Sequence, residues 1–236
     1  VGFKYDIKIW DKKSKDYGKT YDLEAKNREI IIQRLTKLNK NLPIRLIEIG
    51  CGNGLILQKI SLPNSIIVGL DISLEMLKVA QTKIPYPIYL IKGITQKLPF
   101  KENKFDVILC INLLVNLEGI EDVRLTIEKI ARIAKENALI FIEYRNKLNP
   151  GMSYQCYKKK KRQIPHPYNA YSIFQIKKIL KENNLVIKEK IPVFPDKSSS
   201  KLKGILYSLY SLFIYNKLFS PCIILKVSPK PKKDAL

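Results

Sequence analysis

The stretch Arg45-Leu46-Ile47-Glu48-Ile49-Gly50-Cys51-Gly52-Asn53-Gly54 decides how the rest of the chain is read. Arg45–Ile49 is a short apolar run that stops at a glycine cluster, the pattern of a buried strand. Three glycines follow at a spacing of two. Glycine permits a tight turn and, lacking a Cβ, lets a ligand approach the backbone. Gly54–Ser61 then reads as a helix, so the unit is strand, glycine loop, helix.

Working outward, Ala25–Asn39 has Ile30, Ile31, Leu35 and Leu38 at roughly helical spacing, and Pro43 ends it. Downstream, Ser65–Leu70, Ile88–Lys92, Phe105–Ile111 and Ala138–Tyr144 read as strands. Between them lie helices over Ser73–Thr82, with Ser73 as N-cap, and over Gly119–Ala134. This alternation predicts an α/β fold with a parallel sheet and helices on both faces. Asn146–Asn169 is polar, basic and aromatic, and contains Lys158-Lys159-Lys160-Lys161-Arg162. It reads as a loop or lid with room for a short helix. Ser172–Asn183 is predicted as a helix, Leu185–Val193 and Cys222–Val227 as strands. Leu202–Phe219 is an apolar, tyrosine-rich helical segment.

In dinucleotide-binding folds a related loop, GxGxxG, sets a pyrophosphate on a helix N-terminus. The spacing here is GxGxG, a tighter loop that suits a nucleoside with an amino-acid tail and no phosphate. Asp71 closes the next strand, 17 residues after Gly54. A carboxylate there can accept both ribose hydroxyls.

With these features the chain resembles the class I S-adenosylmethionine (SAM)-dependent methyltransferases, from about Tyr17 to Tyr144 and more weakly beyond. The resemblance implies a Rossmann-like methyltransferase fold, a seven-stranded, mostly parallel sheet in one domain. A lid-like basic insertion would span about residues 146–171. The implied cofactor is SAM. Gly50, Gly52 and Gly54 match the family's glycine loop, which includes Cys51. Glu48 stands where an acid faces the methionyl end. Asp71, with Ile72 beside it, matches the ribose acid, and Met76 borders the adenine. Tyr17 precedes the predicted first helix, as does Tyr21, where related enzymes close over the cofactor. Ile94, Thr95 and Asn112 complete the expected contacts. Ile94 departs from the family, which commonly has an Asp there, so adenine would be held by backbone near Ile94 and Thr95 and by apolar walls.

Methyl transfer from a sulfonium needs alignment and exclusion of water more than protein acid–base chemistry. A base helps when the nucleophile is an alcohol or phenol. His166 is the single histidine. Asn116 stands where many small-molecule members have a histidine pair; it can orient a hydroxyl but cannot take its proton. Arg145 can bind an anionic group or pair with a local acid. The expected catalytic candidates are therefore His166, Asn116 and Arg145. An Asn-Pro-Pro-Tyr-like tetrapeptide is absent after the fourth strand, which disfavours methylation of adenine or glutamine amides. Cys110 lies inside an apolar strand and reads as core.

Cys51, Cys110, Cys156 and Cys222 form no CxxC pair, so neither a zinc knuckle nor a redox dithiol is expected, and no metal-ligand cluster stands out. Reduced thiols and no visible secretory signal suggest the cytoplasm. Net charge is +22, and from residue 147 onward 19 Lys and Arg face 4 Asp and Glu. Such asymmetry points to an anionic partner. RNA, a membrane surface reached peripherally through Leu202–Phe219, and an acidic substrate all meet that description. Three readings follow: transfer to a small or lipid-linked acceptor, with O-methylation favoured; RNA methylation through the basic C-terminal part; and a non-catalytic SAM-binding protein.

Overall fold

The computed structural model describes residues 7–18, 23–38, 42–60, 62–162, 166–194 and 219–231. Its centre is the strand that leads into the glycine loop. β1 (Arg45–Ile49) pairs in parallel with β2 (Ile66–Asp71) on one side and β4 (Phe105–Cys110) on the other. β3 (Tyr89–Lys92) adds beyond β2, and β5 (Ala134–Arg145) beyond β4. β7 (Cys222–Pro229) runs antiparallel to β5 and carries β6 (Leu185–Val193) at the edge. The order is β3-β2-β1-β4-β5-β7-β6. The chain leaves β1 toward β2 and returns to β4 on the opposite side. In open α/β sheets, such a reversal leaves a crevice past the carboxyl ends of the strands.

Each face of the sheet has its own apolar layer. α4 (Ile120–Ile133) places Val123, Ile127 and Ile130 on one face, where α6 (Ile173–Glu182) adds Ile176 and Ile179. On the other face, α2 (Leu23–Leu35) buries Ile31 and Leu35, and α3 (Leu74–Lys83) buries Leu77 and Ala80. Their spacings of three and four residues aim one helical stripe at the sheet. Ser73 caps α3, its hydroxyl accepting from the Met76 amide at 3.1 Å, and Ser172 with Gln175 forms a capping box on α6.

Three spans differ from the sequence reading. The helix expected over Gly54–Ser61 is a series of turns ending in a 3-10 turn at Leu57–Lys59. Its bonds run Lys59 to Ile56 and Ile60 to Leu57, and Ile60 is already extended. Pro63 lies three residues on and blocks a longer helix. A helix not foreseen, α1 (Ile7–Lys13), precedes Tyr17, so Tyr17 leads out of the first helix rather than into it. The basic segment after β5 is mostly helical, as α5 (Pro150–Lys161), capped by Asn149, whose side chain accepts from the Met152 amide. Tyr21 and residues 202–218 of the apolar segment lie outside the described residues. Among the described residues no helix is long and apolar enough to cross a membrane.

Candidate cofactor and acceptor site

The three glycines of the loop all have positive φ, but each meets a different neighbour. A Cβ on Gly50 would lie 2.9 Å from Leu113 Cδ1, and one on Gly54 would lie 3.0 Å from Ile84 and 3.1 Å from Ala80. These two glycines let the loop pack on protein. A Cβ on Gly52 would meet nothing closer than 3.8 Å, at Tyr17. Gly52 therefore keeps open a space that the protein does not itself fill. The loop is tied to the next strand, since the Gly50 and Cys51 amides both donate to the Leu70 carbonyl. Asp71 Oδ2 accepts from the Gly52 amide at 2.8 Å, and its Oδ1 from the Ser73 amide at 2.9 Å.

Around that space lies a cleft with about 870 Å³ of empty space, the open solvent at its mouth included. Tyr17, Glu48, Gly50, Cys51, Gly52 and Asp71 line it, followed by Ile72, Met76, Ile94, Thr95, Asn112 and Asn116. Of the anticipated cofactor positions only Gly54 stands back, beneath the loop against α3. Thr95 is oriented by a 2.9 Å hydrogen bond between its hydroxyl and that of Thr126.

Two charged lining side chains are buried and incompletely bonded. Glu48 is 3% exposed, and its Oε2 has no hydrogen-bond partner among the described residues. Burial pushes its carboxyl well above the usual range, neighbouring Asp71 adds to the shift, and Arg28 opposes it. Arg28 is 9% exposed, and its Nη1 likewise lacks a partner. A buried carboxyl and a buried guanidinium with spare capacity in one cleft fit an amino-acid zwitterion: ammonium to Glu48, carboxylate to Arg28. With Asp71 at the end of β2 and the open space over Gly52, the donor set matches a nucleoside with an amino-acid tail. Sequence reasoning missed Arg28. The signal was there, because Arg28 lies three residues before Ile31 and seven before Leu35, on the buried stripe of α2.

The other wall is a buried polar network. Asn112 has φ +56, a left-handed conformation that asparagine tolerates. Its amide donates to Glu143 Oε2 at 2.8 Å, and its Oδ1 accepts from Asn27 at 2.8 Å. Arg145 is 1% exposed and bridges Glu143 Oε1 at 2.8 Å and Glu24 Oε1 at 3.4 Å. The Cys222 thiol donates to Glu143 Oε1. Tyr17 donates to Glu24 Oε2 at 3.2 Å. Arg145 is thus a partner of local acids, behind the cleft lining rather than in it. Asn116 lines the cleft, with its Nδ2 donating to the Asn112 carbonyl at 2.9 Å.

His166 does not line the cleft and stands one layer behind it. Its ring is 5.4 Å from that of Trp10, a lining residue. His166 Nε2 is 2.9 Å from Lys13 Nζ, and Nδ1 is 3.0 Å from the Pro167 carbonyl. An ammonium only donates, so Nε2 accepts and Nδ1–H points to the carbonyl. Burial lowers the His166 pKa, and Lys13 and Lys159 lower it further.

Fold and site together have the form of a Rossmann-like cleft suited to a nucleoside with an amino-acid tail. A methyltransferase-domain family model matches residues 47–142. Residues 47–142 thus carry a methyltransferase domain of the class I SAM-dependent kind, whose cofactor is SAM. It is 34% identical over 137 residues to an uncharacterised protein of Methanocaldococcus jannaschii, covering 58% of this chain and 60% of that one. It is 25% identical over 159 residues to the ubiquinone biosynthesis O-methyltransferase of Bartonella quintana, covering 64% of this chain and 63% of the other. The alignments thus span less than two thirds of either relative. Among solved structures, a methyltransferase in complex with the Trm112 methyltransferase activator of Haloferax volcanii shares the fold. Its TM-score is 0.72 at 16% identity, over 98% of this chain and all of that one.

Proposed function

We propose that the protein transfers the methyl group of SAM to an oxygen of a small or lipid-linked acceptor. The observation that carries this reading is the cleft over Gly52, lined by buried, underbonded Glu48 and Arg28 together with Asn112 and Asn116. The bound cofactor supplies an activated methyl group on a sulfonium. The chain's own part is placement. Glu48 and Arg28 anchor the methionyl tail, Asp71 the ribose, and Met76, Ile94 and Thr95 border the adenine. Asn116 orients the acceptor group. Arg145, held by Glu143 and Glu24, fixes the Asn112 corner as a positioning residue, while Trp10 and Tyr17 keep water from the reacting atoms. His166 is available as a base only once Lys13 releases its Nε2. O-methylation is supported by the names of relatives, among them the B. quintana enzyme and a malonyl-[acyl-carrier protein] O-methyltransferase of Legionella pneumophila.

Titration calorimetry with S-adenosylhomocysteine (SAH), then transfer of labelled methyl to a panel of phenols, alcohols and carboxylates, tests the reading. Saturable SAH binding with label on oxygen is expected; no SAH binding refutes it. A nucleic-acid acceptor is favoured by one observation: α5 ends in Lys158–Lys161 and exposes Tyr154 and Tyr157. Salt-dependent RNA retardation with label transferred to RNA would favour that reading instead. A protein partner is also proposed, because the H. volcanii methyltransferase was solved with an activator. Failure to recover a stoichiometric partner on native purification counts against it.

A further inference from the structure

Behind Trp10 and Tyr17, three cations face two carboxylates in a partly dehydrated corner. Arg145 is committed to Glu143 and Glu24. The other two cations, Lys13 and Lys159, have no carboxylate within ion-pair distance among the described residues. Lys13 Nζ reaches His166 Nε2 at 2.9 Å and lies 5.0 Å from the centre of the Trp10 ring. Lys159 Nζ sits 3.3 Å from the centre of the Tyr168 ring. The two ammonium groups repel each other, and Glu24 attracts both. Burial lowers the pKa of each. Water is displaced from these lysines by aromatic rings and by a neutral imidazole, not by acids.

Their placement is specific to the site. Lys13 ends α1, whose Trp10 lines the cleft, and Lys159 lies on the last turn of α5. The segment around His166 and Tyr168 touches both lysines and is tied by Asn169 to the turn that bears Asn116: the Asn169 amide donates to Val115 O and its side chain to Leu117 O. The N-terminal helix, the helix after β5 and the β4 turn therefore converge beside the acceptor side of the cleft. Lysines that form no ion pair with the described residues, where three elements meet, suit an added anion.

We propose that the methyl acceptor carries an oxyanion, a carboxylate or phosphate, that seats between Lys13 and Lys159. The inference rests on the methyltransferase reading and names the substrate class of that same site. Trp10, the one tryptophan in the chain, reports on it, since an anion near Lys13 alters the surroundings of the indole. With SAH bound, Trp10 emission is titrated with benzoate, phenyl phosphate and, as the uncharged control, benzamide. A saturable response to benzoate or phenyl phosphate, at least tenfold tighter than to benzamide, is expected. Lys13→Met and Lys159→Met should each weaken it about tenfold, with SAH affinity unchanged. Lys13→Arg should retain it. Equal responses to benzoate and benzamide, no response to either anion, or anion binding that survives both Met variants would overturn the proposal. Loss of SAH binding in the unmodified protein would instead sink the methyltransferase reading, so the two failures are distinguishable.

Discussion

Replacing Gly52 by alanine adds one methyl group where the protein has room for it and the cofactor does not. Gly52 has φ +52, and its would-be Cβ lies 3.8 Å or more from any protein atom outside its chain neighbours. The fold thus bears only the left-handed backbone cost, about 1–2 kcal/mol. For a chain of this size that lowers Tm by roughly 2–8 °C. The bound cofactor meets the methyl directly. Overpacking of that kind costs about 1–3 kcal/mol, or roughly 5- to 150-fold in SAH affinity. Gly54→Ala inverts the pattern. Its Cβ would lie 3.0 Å from Ile84 and 3.1 Å from Ala80 at φ +77, so strain and overpacking fall on the fold. Gly54→Ala should lose more Tm than Gly52→Ala and keep more SAH affinity once folded. Scanning fluorimetry without ligand and calorimetry with SAH measure the two quantities separately. If Gly52→Ala keeps SAH affinity within twofold, or if both variants lose stability and affinity in the same proportion, the assignment of separate roles to the two glycines is wrong.

Three further outcomes are expected. Glu48→Gln should weaken SAH binding about tenfold or more, through a lost charge-assisted hydrogen bond of about 1.5–3 kcal/mol, and Arg28→Met should do the same from the carboxylate end. Because the folded pKa of Glu48 is raised, its contribution to stability is present below about pH 4.5 and is lost as pH rises through the raised value. The Tm advantage of ligand-free Glu48→Gln over the unmodified protein should therefore grow with pH, and a flat difference between pH 4 and 9 would count against it. Arg145→Met leaves Glu143 buried and unpaired, which should cost about 3–5 kcal/mol; adding Glu143→Gln should restore part of the loss in urea unfolding.

The sheet was legible because buried parallel strands are continuous apolar runs, and Ile66–Leu70 or Phe105–Cys110 can hardly be read otherwise. The cofactor half of the cleft was legible for a related reason: glycines and an acid at strand ends have few structural uses in that spacing. What stayed hidden depends on contacts across the chain. Nothing local marks α1, whose Trp10 and Lys13 gain their meaning only beside His166, 153 residues from Lys13. Glu143 lies in an apolar run, and its partners Asn112, Arg145 and Cys222 come from three different positions in sequence. The expected Gly54–Ser61 helix is replaced by turns that bury Ile56, Leu57 and Ile60 without a regular helix, and Pro63 limits the room.

The distribution of buried charge ties fold to function. β1 carries Glu48, β2 ends in Asp71, β4 runs into Asn112, and β5 ends in Glu143 and Arg145, so four adjacent strands bring polar groups to one edge of the sheet. In the cluster from β5 both Glu143 oxygens are bonded, to Arg145, the Asn112 amide and Cys222, and the open position is Arg145 Nε. The cluster from β1 and α2 leaves Glu48 Oε2 and Arg28 Nη1 unbonded. Dehydrated, underbonded charge destabilises a fold unless a ligand completes it. The cleft that opens at the chain's reversal between β1 and β4 is where such a ligand has access. On the proposed reading, the β5 network rigidifies Asn112 while the β1 pair receives the amino-acid tail, and binding energy gained there can hold the methyl-bearing end of the cofactor against Asn116.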